Sequence, residues 1–207
     1  ITIFTDGDTD VASGNISIDT AVVNGSSGNI TLGGRLSTGG GVSSGATGIA
    51  AGDITLTVDT TAGNITAHEL FAKGSNGTAT GGAGGNITLT TGSGTITLTQ
   101  GVNNRSGANR GGTRPSTGTI TFNDAVILSS NAITIETTTT DQANGGDITF
   151  QSSIDGAQDL TIRSGSGTVT IAGAIGATTA LTSLNINDSA TVHAGTTVSY
   201  THLRAHE

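Results

Sequence analysis

A five-residue pattern returns along this chain at wide, nearly even intervals, and it limits the fold more tightly than any other feature. It runs Gly, a small polar residue, an apolar residue, Thr or Ser, and a second apolar residue. Copies are Gly14-Asn15-Ile16-Ser17-Ile18, Gly28-Asn29-Ile30-Thr31-Leu32, Gly52-Asp53-Ile54-Thr55-Leu56 and Gly85-Asn86-Ile87-Thr88-Leu89. The pattern continues as Gly94-Thr95-Ile96-Thr97-Leu98, Gly118-Thr119-Ile120-Thr121-Phe122, Gly146-Asp147-Ile148-Thr149-Phe150 and Gly167-Thr168-Val169-Thr170-Ile171. Ile133-Thr134-Ile135, Leu160-Thr161-Ile162 and Leu184-Asn185-Ile186 are copies without the Gly. Each alternates apolar and polar with period two, which marks a strand with one buried face. Ile, Val and Thr favour that conformation. The leading Gly predicts a left-handed or sharply bent backbone, and the Asn or Asp beside it predicts a turn.

Spacing chooses among β architectures. Ile54, Ile87 and Ile120 recur at even intervals of about 33 residues, with Ile65 and Ile96 between them. Each interval therefore carries two strand motifs and one Gly-rich excursion, over 36–51, 72–85 and 101–117. A short alternating strand buries its apolar face only by stacking on copies of itself. Hairpins in a sandwich would call for constant two-residue turns, whereas these turns vary and the motif does not. The expectation is an all-β, single-stranded, right-handed parallel β-helix, a β-solenoid with Gly-rich corner loops. Seven to nine coils at ~4.8 Å each would form a rod roughly 35–45 Å long. Ile54, Leu56, Ile87, Leu89, Ile120, Phe122, Ile148, Phe150, Val169 and Ile171 should point inward. Thr55, Thr88, Thr121, Thr149 and Thr170 should form an outward hydroxyl ladder.

Composition agrees with a slender interior: no Trp, Met or Cys, four Phe and one Tyr, against 34 Gly. With 11% charged residues and a net charge of −8, the chain lacks the basic stripe that nucleic acid requires. No run of about 18 apolar residues provides a membrane-spanning helix. Zero Cys excludes a disulfide framework and thiolate metal sites.

The stretch from Gly146-Asp147-Ile148-Thr149-Phe150 through Gly156-Ala157-Gln158-Asp159-Leu160-Thr161-Ile162 to Ile175-Gly176 and Ala180-Leu181-Thr182-Ser183-Leu184 resembles the repeat regions of large bacterial exoproteins. These are the filamentous-haemagglutinin-like and autotransporter-type adhesins. The resemblance spans nearly the whole chain. It implies a right-handed parallel β-helix, export to the cell surface, and an adhesive or spacer role. Residues 1–198 then read as an internal solenoid fragment, continuous with further repeats of a parent chain. Residues 199–207 hold no repeat and read as a tail that is not native sequence.

Several groups suggest chemistry. Asp6-Gly7-Asp8-Thr9-Asp10 sets three carboxylates at alternating positions, a donor set that suits Ca2+. The EF-hand pattern, however, requires Gly and Glu where Val11 and Ser17 stand, so an acidic solvated turn is the simpler expectation. Residues 81–89 partly match a calcium nonapeptide, with Asn86 in place of its Asp and Thr88 in place of an apolar residue. Arg105, Arg110 and Arg114 cluster in one excursion and could meet acidic glycans or a partner protein; a solvated loop is the plainer reading. His68-Glu69 has no evident third member. His202 and His206 have metal-compatible spacing but lie in the tail. The Asn-x-Ser/Thr sites, among them Asn15, Asn64 and Asn86, arise from the repeat itself.

Three function classes follow. The first is a structural or adhesive stalk segment, meeting host or surface glycans or matrix proteins and inserting into no membrane. The second is an ice-binding Thr-ladder solenoid, suggested by the pairs Thr55/Thr57, Thr88/Thr90 and Thr97/Thr99. The third is a polysaccharide-acting β-helix enzyme, which would need converging carboxylates and aromatic sugar platforms. No such constellation can be named, so the expectation is a protein that is not an enzyme.

Overall fold

The computed structural model describes residues 3–20, 28–59, 62–108, 115, 117–138, 144–194 and 203–205; at 188, 190 and 203–205 only the backbone is described. Every regular element there is a strand, and the named strand pairs are parallel. The strands fall into three columns, visited in turn on each circuit of the chain.

The first circuit runs β1 (Ile3–Phe4), β2 (Ile16–Thr20) and β3 (Ile30–Thr31). The second runs β4 (Leu36–Ser37), β5 (Ile54–Val58) and β6 (Ile65–Ala67). Then follow β7 (Leu70–Phe71), β8 (Ile87–Thr91) and β9 (Thr95–Leu98), and β10 (Val102–Asn103), β11 (Ile120–Phe122) and β12 (Ala125–Leu128). The fifth comprises β13 (Ile133–Glu136), β14 (Ile148–Phe150) and β15 (Ile154–Asp155). In β16 (Asp159–Ile171) and β17 (Ser183–Ala194) one long strand serves the first two columns together, with a register shift between Gly165 and Thr168. β18 (Leu203–Ala205) pairs with β17. Because β16 and β17 turn the corner, the first two columns belong to one 13-stranded sheet, and the third is a 5-stranded sheet. The result is an all-β winding of parallel strands, solenoid-like, with Gly-rich loops at its corners.

Each of the first five circuits carries three strands, one more than the sequence spacing gave. The extra ones are β4, β7 and β10, at the edges of the presumed excursions. In the tail, Leu203 stands opposite Leu184 as a strand residue, since an open parallel edge pairs with extended backbone whatever its side-chain pattern.

The core is a set of like-on-like ladders. Ile16, Ile54, Ile87, Ile120, Ile148 and Val169 stand in register, as do Ile18, Leu56, Leu89, Phe122, Phe150 and Ile171. All ten residues expected to point inward are buried. Thr55, Thr88, Thr121, Thr149 and Thr170 stack outward between them. The two Phe rings stack at 4.8 Å between centroids.

The leading glycines have a different role from the expected one. Gly52, Gly85, Gly118, Gly146 and Gly167 form a column, and none has a left-handed φ. A Cβ on any of them would fall inside 3.0 Å of the carbonyl oxygen of the glycine one coil before, which for Gly52 is Gly14. They are needed for close backbone approach between coils. The neighbouring Asn and Asp side chains likewise reach across coils. Asn15 Oδ1 accepts from the Asp53 N–H at 2.8 Å, Asp53 Oδ1 from Asn86 N–H at 2.6 Å, and Asn86 Oδ1 from Thr119 N–H at 2.9 Å. In the third column Asn29 and Asn64 do the same for the N–H groups of Asn64 and Thr95.

Candidate functional site

The excursions leave at one corner, between the first and second columns, and a polar side chain closes each base from inside. Thr38 Oγ1 donates to Gly52 O at 2.6 Å, Thr137 Oγ1 to Gly146 O at 2.9 Å, and Ser164 Oγ to Gly167 O at 2.9 Å. In the third circuit the equivalent residue is Ala72, which has no hydroxyl. Asn104, one coil on, reaches Gly85 O at 3.0 Å and Thr119 O at 3.2 Å, closing its own circuit and the one before. These clasps let the loop between Thr38 and Gly52 be long while Gly165-Ser166 alone fills the same place in β16. Loop length therefore varies without altering the coil.

The loops themselves are ordered against one another. Gly40 N–H donates to Lys73 O, Gly74 N–H to Arg105 O, Gly82 N–H to Ser75 O and Gly107 N–H to Gly82 O. Gly40, Gly48, Gly74, Gly81, Gly82 and Gly107 approach neighbouring backbone too closely for any Cβ. Residues 81–85, the partial calcium match, are part of this packed stack. At the loop tips a groove of about 490 Å³ is lined by Ser43, Ser44, Gly45, Asn76, Gly77, Thr78 and Ala108. Its lining is hydroxyl, amide and backbone, with no ionisable group.

Asp6, Asp8 and Asp10 are not gathered together, and among the described residues no set of three His, Cys, Asp or Glu could hold a metal. Asp6 Oδ1 accepts from Ser37 Oγ at 2.6 Å and Gly39 N–H at 2.7 Å, while Asp8 Oδ1 accepts from Thr9 N–H. Asp10 accepts from the hydroxyl and the N–H of Ser44, one coil on, and these bonds hold its carboxyl below the usual aspartate range. Asp6 and Asp10 thus join adjacent coils, while Asp8 bonds only within its own turn.

Arg105 is described; Arg110 and Arg114 lie outside the described residues. Arg105 sits at the foot of its excursion, half-buried. Its Nε is 3.5 Å from Glu136 Oε1 and donates to Asn103 Oδ1 at 3.2 Å. Asn103 Nδ2 in turn donates to Glu136 Oε1 at 2.9 Å. Lys73, in the row beside Arg105, is half-buried. Burial first, and then the like charge of Arg105, push its amine below the usual lysine range, with Glu136 opposing. Arg35 lies over the Phe71 ring, 3.6 Å from its centroid, with its Nε 3.7 Å from Glu69. Glu69 is thereby drawn to Arg35 across the coil boundary. Arg105 belongs to a set that no stretch of sequence displays: Arg35, Phe71, Lys73, Asn103, Arg105, Glu136 and Arg163 on one face. The hint available in the sequence is the interval from Arg35 through Lys73 to Arg105, close to one circuit each.

The pairs Thr55/Thr57 and Thr88/Thr90 stand in register on the second column. Asn123 follows Thr90 and donates to its hydroxyl at 2.7 Å. Thr97/Thr99 starts from β9, in the other sheet. The double Thr array is therefore two coils deep.

No family model, curated protein or solved structure matches this chain. Among the described residues no helix is long and apolar enough to cross a membrane.

Proposed function

We propose that this chain is a structural or adhesive segment of a large secreted or surface-anchored bacterial exoprotein, a right-handed coil whose task is reach and display. The single observation carrying this reading is the corner clasp. Strand columns keep their register while loops at one corner range from two residues to more than a dozen. Such a scaffold presents variable surface on a constant rod, and binding by repeated weak contacts suits it. Right-handedness follows from the strong preference of parallel crossover connections. The resemblance to filamentous-haemagglutinin-like and autotransporter-type repeats supports the surface location. Host or surface glycans and matrix proteins are the partners it suggests.

The ice-binding alternative gains little from an array two coils deep, because a flat repeated face is what that activity needs. The polysaccharide-acting alternative lacks a named acid–base pair.

Localisation tests the proposal. An antibody raised against residues 1–198 should label intact source cells or recover the protein from the medium. Recovery from the cytosolic fraction alone would overturn the reading.

A further inference from the structure

The described Lys and Arg side chains are Arg35, Lys73, Arg105 and Arg163, and all lie on the first column or its edge. Arg163 stands in the register row Ser37, Phe71, Asn103, Glu136, Arg163. Lys73 and Arg105 share the adjoining row, where Gly40 N–H meets Lys73 O at 2.9 Å and Gly74 N–H meets Arg105 O at 3.0 Å. The second and third columns and their corners carry Asp19, Asp53, Asp124, Asp147 and Asp155 and, among the described residues, no Lys or Arg. In a chain of net charge −8, this segregates the positive charge onto one face.

We infer that the first face binds a sparsely charged linear polyanion, an acidic polysaccharide lying along the coil axis. From the coil of Arg35 to that of Arg163 is four strand spacings, roughly 19 Å. Arg35, Lys73 and Arg105 take consecutive coils along that path. Glu136 is engaged by Arg105 and Asn103, which leaves the charges of Lys73 and Arg163 to an outside anion. Phe71 is half-buried, and its ring lies 3.6 Å from the Arg35 guanidinium carbon, a cation–π contact that keeps this charge on the face.

Charge density selects the class of polyanion. Double-stranded nucleic acid presents a charge about every 1.7 Å and requires a dense basic stripe. Here cations come about one per coil, with Asp6, Glu69, Glu136 and Asp159 on the same column or its edge. A polymer with one carboxylate per one or two sugar units matches that spacing, and the interspersed carboxylates disfavour a denser one.

This inference rests on the adhesive form of the proposal above, but it fails separately. The test is binding of the full chain to polygalacturonate, dextran and duplex DNA at about 50 mM and about 300 mM salt. Polygalacturonate should be retained at low salt and released at high salt, with dextran and DNA bound weakly or not at all. The variant Arg35→Gln/Lys73→Gln/Arg163→Gln should bind at least about tenfold more weakly, with unchanged circular dichroism and Tm. Asp19→Asn, on the opposite column, should bind as the parent does. If the triple variant fails to fold, Arg163→Gln alone should still weaken binding about threefold. No retention of folded parent protein, equal retention of the folded variant, or tighter binding to DNA or dextran would each overturn the inference. Those outcomes leave the localisation test unaffected.

Discussion

At the scale of single residues, the glycine column decides how closely coils approach. A methyl at Gly85 or Gly118 must displace the carbonyl of the preceding coil, which is itself fixed by the ladder. Gly85→Ala is therefore expected to cost at least about 1–3 kcal/mol, the range for forced overpacking. Gly33 and Gly45 have nothing near the added methyl and no left-handed φ. There the same change should be neutral or stabilise by about 0.4–1 kcal/mol through the unfolded chain. Urea titrations of the four single variants would check this, and equal losses at all four would refute the account. Lys73 provides a second test. Its folded pKa lies below the ordinary 10.5, because burial and then Arg105 disfavour the charged amine. At pH values between the folded pKa and 10.5 the unfolded chain binds more protons than the folded one. Stability must then rise with pH across that window. Lys73→Met keeps much of the stem and removes the charge. It should match or exceed the parent at pH 7 and lose the alkaline rise. Parallel stability curves for parent and variant up to pH 10.5 would contradict the burial argument.

At the scale of elements, the corner clasp separates what the sequence displayed from what it concealed. The second and third columns were legible because Ile54-Thr55-Leu56 and its relatives alternate cleanly, and alternation follows directly from one buried face. The first column showed only at β13, β16 and β17, where Ile133-Thr134-Ile135 and its relatives alternate, and was hidden in the coils before them. β4, β7 and β10 are two residues long, and the chain then turns polar side chains inward at Thr38 and Asn104, both fully buried. An inward Thr or Asn reads as loop in sequence and becomes intelligible only once a glycine carbonyl stands opposite. The same holds for Asp6 and Asp10, whose spacing suits a calcium ion but whose partners, Ser37, Gly39 and Ser44, lie a coil away. The cationic face was unreadable for the same reason, since register sets which distant residues share a row. The clasp makes its own prediction. Asn104→Ala strips buried Gly85 O of its side-chain donor, whereas Thr119 O keeps the Ile87 N–H, so the change should cost about 1–3 kcal/mol, the range for one unsatisfied buried group. Ala72→Thr restores a hydroxyl at the position where Thr38 reaches Gly52. Alone it should be near neutral, and with Asn104→Ala it should recover part of the loss. Strict additivity in this double-mutant cycle would show that the two positions do not share Gly85 O.

At the scale of the whole molecule, coils touch chiefly their neighbours along the axis, so stability is a sum of coil and interface terms and not a property of one compact core. The inner ladder is largest in its middle, where Phe122 and Phe150 stack at 4.8 Å. It tapers to half-buried Ile18 at one end and exposed Ala194 at the other. Hydrogen exchange should therefore be slowest in β8, β11 and β14 and faster toward β2 and β17. Phe122→Ala removes a fully buried ring at the centre and is expected to cost about 3–5 kcal/mol. In a one-dimensional array the consequence depends on position as well as size. A weakened central interface uncouples the coils on either side, so the single unfolding transition should broaden or split, and protection should fall on both flanks of β11. Ile18→Ala, at the tapering end, should lower protection in β1–β3 and leave the central strands as they were. Uniform loss of protection in both variants would mean that the chain unfolds as one global unit, and the nearest-neighbour description would then fail despite the coil geometry.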